Sequence, residues 1–253
     1  RNSDAWNVSA RYNKRNFLTE NMTLKATLSH TWDHSITVDT AYRKYYWDGG
    51  YIISQRNEIR GSAPSMRHFK RPLTLVRANL DYPLGEHHGF NLNYNLNRTG
   101  NDRFDDLDRS FTPSNDAVTK HIVGLTYSQS FFEGKMQNVF FAKDYVNHPN
   151  IRQTDQSSVT GSDKVQGSTT KNYVGYGAGV RYMFLDPLAL KVSFEHSVHL
   201  PVARELLGNG TTIYANVALE PEKSNNLNLS VFGTWHPATG HTLHYETNGF
   251  LRY

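Results

Sequence analysis

Apolar and polar residues alternate along most of this chain with a period of two. That is the signature of strands whose two faces meet different surroundings. The cleanest run sets Phe90, Leu92, Tyr94 and Leu96 against Asn91, Asn93, Asn95 and Asn97. Trp6, Val8, Ala10 and Tyr12 share one face of the first run, and Met22, Leu24, Ala26 and Leu28 one face of the second. A third run carries Ile36 and Val38, set off from the second by a tight turn near Asp33-His34. In the eighth, Val174, Tyr176, Ala178 and Val180 alternate with Gly175, Gly177 and Gly179, which thin the wall for a bend or an internal plug. The stretch 135–147 is least regular, because Val139, Phe140 and Phe141 run together. The pattern predicts an all-β antiparallel meander of about 11 long strands and no regular helix. Many runs pass ten residues, whereas strands in soluble sheets have about 5–6 and tilted membrane strands about 9–11.

The connections alternate as well. Tight turns at 33–34, 83–86, 133–134, 186–187 and 237–240 interleave with long segments at 48–70, 98–117, 148–170 and 200–221. Outer-membrane barrels combine short periplasmic turns with large outer loops, and a soluble sandwich has no reason to. Trp6, Trp32, Tyr45, Tyr46, Trp47, Tyr82, Phe131, Phe132, Tyr145, Tyr182, Phe184 and Trp235 fall near strand ends, where girdles of amphipathic rings meet the two lipid boundaries.

Composition sharpens this picture. Mean hydropathy is −0.63, and no stretch approaches the ~18 apolar residues of a spanning helix. A membrane barrel looks equally hydrophilic, because half of each strand faces a wet interior. The absence of Cys excludes disulfides and thiolate metal sites. The net charge of +4 is spread thinly, without the Lys/Arg runs of a nucleic-acid binder. The chain opens on Arg1-Asn2-Ser3-Asp4 and ends on Phe250-Leu251-Arg252-Tyr253 inside a strand pattern. It reads as a 1–253 piece of barrel wall without signal peptide or plug. A sheet in lipid must close to satisfy its edges, so partner strands are expected before and after it.

One segment is more specific. His199-Leu200-Pro201-Val202-Ala203-Arg204-Glu205-Leu206-Leu207-Gly208 is followed by Asn216-Val217-Ala218-Leu219-Glu220-Pro221-Glu222-Lys223-Ser224. It resembles a loop of TonB-dependent receptors, in which Pro and Arg-Glu precede a Gly-rich stretch and an Asn-Pro-x-Leu-x-Pro-Glu pattern. Val217 stands where that family usually has Pro. The resemblance implies a transmembrane barrel of the 22-strand type in the bacterial outer membrane, importing a scarce nutrient. It implies as partners the surrounding lipid, a plug domain of the same parent chain, and the TonB complex through an N-terminal part beyond this sequence. It assigns Pro201, Arg204, Glu205, Asn216, Leu219, Pro221 and Glu222 to the motif, as a structural loop anchor. Pro201 and Pro221 bracket the loop and stop strand continuation, while Arg204, Glu205 and Glu222 are placed to pair with one another or with a plug.

Other chemistry fares poorly. A haem reading lacks a His between Pro201 and Leu219, leaving Tyr214 as an oxygen ligand. The 12 His residues show no metal-ligand spacing, and His30 and His34 flank the turn predicted at 33–34. The acid-rich run 101–109 lacks calcium-loop spacing and reads as a self-neutralised outer loop with Arg103 and Arg109 interleaved. No nucleophile elbow, phosphate loop or paired-carboxylate site stands out, so no enzyme and no cofactor is expected. Tyr51, Arg56, Arg60, Arg67, Arg152 and Gln153 in the long segments are the candidates for meeting a polar substrate. Its class (siderophore, cobalamin, carbohydrate or peptide) is left open. The rival readings are a plug-less porin, an outer-membrane enzyme barrel, and a soluble β-rich binding module.

Overall fold

The computed structural model describes the chain except residues 1, 41–42, 54–55, 58–60, 63, 110, 112, 156–162 and 209–214, and describes no side chains at 43–44, 53, 56–57, 61–62, 152–155 and 163–166. The strands are β1 (Asn2–Arg15), β2 (Thr23–Asp39), β3 (Arg43–Tyr45), β4 (Tyr51–Ile53), β5 (Arg56–Asn57), β6 (Gly61–Ser62), β7 (Ser65–Lys70) and β8 (Leu73–Leu84). They continue as β9 (His88–Asp105), β10 (Ser114–Phe131), β11 (Met136–Asp155), β12 (Asp163–Ser168), β13 (Lys171–Leu185), β14 (Leu188–His199), β15 (Glu222–Ala238) and β16 (His241–Arg252). One helical turn, α1 (Ala203–Leu207), interrupts the last long connection. Twelve strands form one antiparallel sheet in which chain neighbours pair with chain neighbours, a meander running from β1 to β16.

The sheet is made of fewer, longer staves than the sequence pattern suggests. The second and third runs are one strand, β2, of 17 residues, with no turn at Asp33-His34. The alternation itself explains this. Leu24, Leu28, Trp32, Ile36 and Val38 keep the same parity throughout, so the phase is never reset as a turn would reset it. His30 and His34 therefore both lie within β2 rather than flanking a turn. β7 leads into β8 across Arg71-Pro72, where Pro72 has no N–H to give. There the ladder is carried around the break by Arg71 N–H donating to Asp33 O at 2.7 Å and Gly100 N–H donating to Pro72 O at 2.8 Å. β12 leads into β13 across Thr169-Thr170 in the same way, so the twelve strands make ten staves. Ser65–Lys70 belongs to the wall and not to the long connection before it. The acid-rich run likewise starts inside β9.

The two faces of the sheet differ as the alternation requires. Leu92, Leu125, Ala142 and Tyr176 align across β9, β10, β11 and β13. Leu92 is 44% and Leu125 51% exposed, and among the described residues no element lies over this face. The opposite face carries a ladder of linked polar side chains. Asn91 Nδ2 donates to Asp81 Oδ1 at 2.6 Å and to Asn79 Oδ1 at 2.9 Å, and Asn93 Nδ2 donates to Asn91 Oδ1 at 3.3 Å. Lys25 Nζ meets Asp81 Oδ2 at 3.4 Å. The glycine run of β13 serves neighbouring rings: a Cβ on Gly177 would stand 2.5 Å from Phe141 Cζ, and one on Gly175 3.1 Å from Tyr145 Cε2. The thinned wall is thus filled by aromatic side chains of β11, lying across glycines of the adjacent strand. Tyr145 is buried there, so it is no girdle residue. Trp6 and Trp32, by contrast, stack at 6.5 Å on the apolar face.

Candidate functional site: the motif loop over the polar face

The described parts of the connection, 200–208 and 215–221, fold back over the polar face at the long-loop end of β10 and β11. Its anchor is apolar. Leu206 and Leu207 of α1 pack on Val118 of β10 and Ile151 of β11, and Leu206 is 0% exposed. Ala203, Ala215, Val217 and Leu219 pack around this cluster. Burying a Leu side chain of this kind is worth about 1.5–3 kcal/mol, enough to hold one turn of helix that would not persist alone. Val217, in place of the usual Pro, sets its Cγ2 3.4 Å from where a Cβ on Gly167 would stand.

Polar contacts fix the loop at both ends. At its start, Lys120 Nζ donates to Pro201 O. Glu205 reaches back so that its Oε2 accepts the Val202 N–H at 2.8 Å, satisfying a donor that the first helical turn leaves free. Asn216 N–H donates to Leu206 O at 3.0 Å, and Asn216 Oδ1 in turn accepts from Ala218 N–H at 3.0 Å. At its end, Glu220 takes a hydrogen bond from Lys171 Nζ and another from Tyr173 Oη at 2.7 Å. Lys171 first, then Tyr173, hold the Glu220 carboxyl below the usual carboxylate range. Pro201 and Pro221 are buried, and Leu219 is half-buried. Arg204 and Glu222 are exposed and form no ion pair with Glu205 or with each other among the described residues. Glu205 serves here in capping and not in an ion pair with Arg204 or Glu222, and the loop's other described side-chain partners come from the wall. Lys120, Lys171 and Tyr173 carried no sequence signal, because the register that brings them under the loop is set far away in the chain.

A second buried cluster stands beside the first. Arg67 Nε lies 3.7 Å from Asp105 Oδ2, and Arg103 Nη2 3.5 Å from Asp116 Oδ2, with both Asp side chains fully buried. Arg103 Nε also donates to Ser114 Oγ at 3.1 Å, and the Arg67 guanidinium lies 4.6 Å over the Phe111 ring. Asp105 Oδ1 accepts the N–H groups of Met66, Leu107 and Asp108. The acid-rich segment is therefore neutralised by wall residues, not by Arg109, which is exposed.

Of the remaining substrate candidates, Tyr51 alone has a described side chain. Tyr51 lies in the β3–β4 hairpin, its ring 5.6 Å from Tyr45, and Trp47 at that hairpin's tip is 98% exposed. Tyr45, Tyr46 and Trp47 therefore belong to an outer hairpin rather than to a lipid girdle. Arg56 begins β5, and Arg152 and Gln153 continue β11, with side chains outside the described residues. Arg60 and the conceivable haem ligand Tyr214 also lie outside them. Among the described residues no group of three or more His, Asp or Glu is placed to hold a metal ion.

The sequence matches the family described as "TonB dependent receptor-like, beta-barrel" over residues 1–246. This chain belongs to that family. Its members are outer-membrane transport receptors and not enzymes. Among solved structures, "Copper transporter OprC" matches with a TM-score of 0.69 at 12% identity, over 98% of this chain. The chain spans 38% of that structure's length. At this identity the likeness shows a shared fold. No curated protein matches in sequence.

Proposed function

We propose that this chain is part of the wall of a TonB-dependent importer in the bacterial outer membrane. The observation that carries the reading is the exposed apolar face of a long-stranded antiparallel sheet, with no second layer over it among the described residues. In water such a surface would aggregate. In a bilayer it is the lipid contact, and the asparagine-lined face becomes the lumen. In this reading a plug from the same parent chain fills that lumen and TonB draws on it from the periplasm. The motif loop, docked over the lumenal side, narrows the outer mouth. The transported nutrient is a siderophore, cobalamin, a carbohydrate or a peptide. The copper named for the structural neighbour is that protein's cargo, and at 12% identity it does not transfer.

The test is uptake in the host. A deletion strain is grown with iron, cobalamin, carbohydrate or peptide limiting in turn. One limitation should select against the deletion, and a protonophore should abolish uptake of that nutrient. Uptake that survives the protonophore would favour a passive porin.

A further inference from the structure

Under the motif loop, register lines up three polar residues across the wall. Lys120 of β10 is paired with Asn147 of β11, and Asn147 with Lys171 of β13. Val118 and Ile151, on which the helical turn of the loop packs, have the same parity on β10 and β11 as Lys120 and Asn147. The row therefore shares the polar face with the loop. Neighbouring strands lie about 4.8 Å apart, so the two lysine backbones stand roughly 10 Å apart with the asparagine between them.

Both ammonium groups are occupied by the loop itself. Lys120 Nζ donates to Pro201 O, and Lys171 Nζ to one oxygen of the Glu220 carboxylate. Tyr173 Oη donates to the other oxygen at 2.7 Å. Lys223 Nζ lies 5.3 Å over the Tyr173 ring, and its charge reaches the same carboxylate. Glu220 is thus held as a carboxylate receptor holds its guest, with a donor on each oxygen and a second cation close by. Its side chain is 63% exposed against 29% for Lys171, so a dissolved acid can compete for the same donors. Asn147 is in the opposite condition. It is 3% exposed, and its Oδ1 takes no hydrogen bond among the described residues. An acceptor so deeply buried ordinarily has a donor. The row has its carboxylate and lacks a hydroxyl.

We infer that Glu220 is an internal stand-in for a hydroxy-acid group on the imported molecule. The ligand's carboxylate replaces that of Glu220 on Lys171 and Tyr173, and its hydroxyl donates to Asn147 Oδ1. The motif loop is then released at its C-terminal end, while Lys120 and Leu206 keep its start docked. This rests on the importer reading above and names the ligand chemistry met at the outer mouth. A carboxylate tethered on a short loop competes at an effective concentration on the order of mM. The hydroxyl contact, which Glu220 does not make, is what lets the ligand win.

The experiment uses the full-length protein in neutral detergent at constant ionic strength. The probe is L-malate, with succinate as the control that lacks the hydroxyl. Binding is titrated by saturation-transfer NMR, and protease cleavage within 200–221 is followed in parallel. Malate should bind saturably and speed that cleavage, and succinate should bind about fivefold more weakly. Glu220→Gln should tighten malate binding about tenfold, because the tethered competitor is gone. Lys171→Gln should weaken it about tenfold, and Asn147→Ala should bring malate down to the level of succinate. Malate binding that is unchanged or weaker in Glu220→Gln would overturn the inference. So would equal binding of malate and succinate to the wild type, or no saturable malate binding at all. Failure of the importer reading shows separately, as uptake that survives a protonophore while malate still exchanges with Glu220.

Discussion

At the scale of single residues, the face a side chain occupies decides what a substitution does. Leu92 and Asn93 are adjacent in β9 and look in opposite directions. In the membrane reading proposed above, Leu92→Arg puts a charge into the middle of the lipid contact and should cost about 2–4 kcal/mol of stability. Asn93→Arg breaks one 3.3 Å hydrogen bond to Asn91 and crowds Gly124, where a Cβ would stand 2.6 Å from Asn93 Oδ1. Its charge stays in the wet lumen, so its cost should be clearly smaller. Denaturant unfolding in lipid bilayers measures both, and equal penalties would reverse the face assignment. Gly233 shows a backbone limit of another kind. A Cβ there would stand 2.1 Å from Pro187 O, so the turn between β13 and β14 lies directly against β15.

At the scale of elements, the motif loop is a docked strap with two kinds of anchor. The apolar anchor is Leu206, which has no exposed surface. Leu206→Ala should cost about 2–5 kcal/mol of docking or of overall stability, read as faster proteolytic cleavage within 200–221. The polar anchor is Glu220, and its sign follows from linkage. Its folded carboxyl is held below the ordinary range, so its contribution is complete above the unfolded value and is lost as pH falls through the folded one. Acidification below the carboxylate range should therefore loosen the C-terminal end of the strap. Glu220→Gln should remove that pH dependence while leaving Leu206 docked, and limited proteolysis across the pH range checks both outcomes. The buried Arg67–Asp105 and Arg103–Asp116 pairs hold the neighbouring segment to the wall. There both carboxylates are fully buried and both guanidinium groups nearly so, so removing an Arg leaves a buried carboxylate without its counter-charge.

At the scale of the whole molecule, β1 and β16 are each paired on one side only among the described residues. In the membrane reading proposed above, each unpaired backbone group would cost several kcal/mol, so the sheet is expected to meet further strands at both edges. Residues 1–253 refolded alone should give mixed oligomers by light scattering in detergent. The same wall with its flanking strands should give one species that resists heat. A monodisperse monomer of residues 1–253 would contradict closure by partner strands.

Sequence alone determined the class of this fold. A period of two over strands longer than ten residues, with short and long connections in turn, leaves few solutions besides a membrane barrel, because each face's chemistry is written residue by residue. It also placed Pro201, Glu205, Asn216 and Pro221 in a loop of distinct character. Tertiary structure decided what the alternation cannot encode. Runs that looked like two strands fused into β2, because a turn is set by backbone pairing and the parity had never broken. Lys120, Lys171 and Tyr173 became the loop's partners, because register brings together residues far apart in the chain. Periodicity says which way a side chain faces, but only the hydrogen-bonded ladder says what stands beside it.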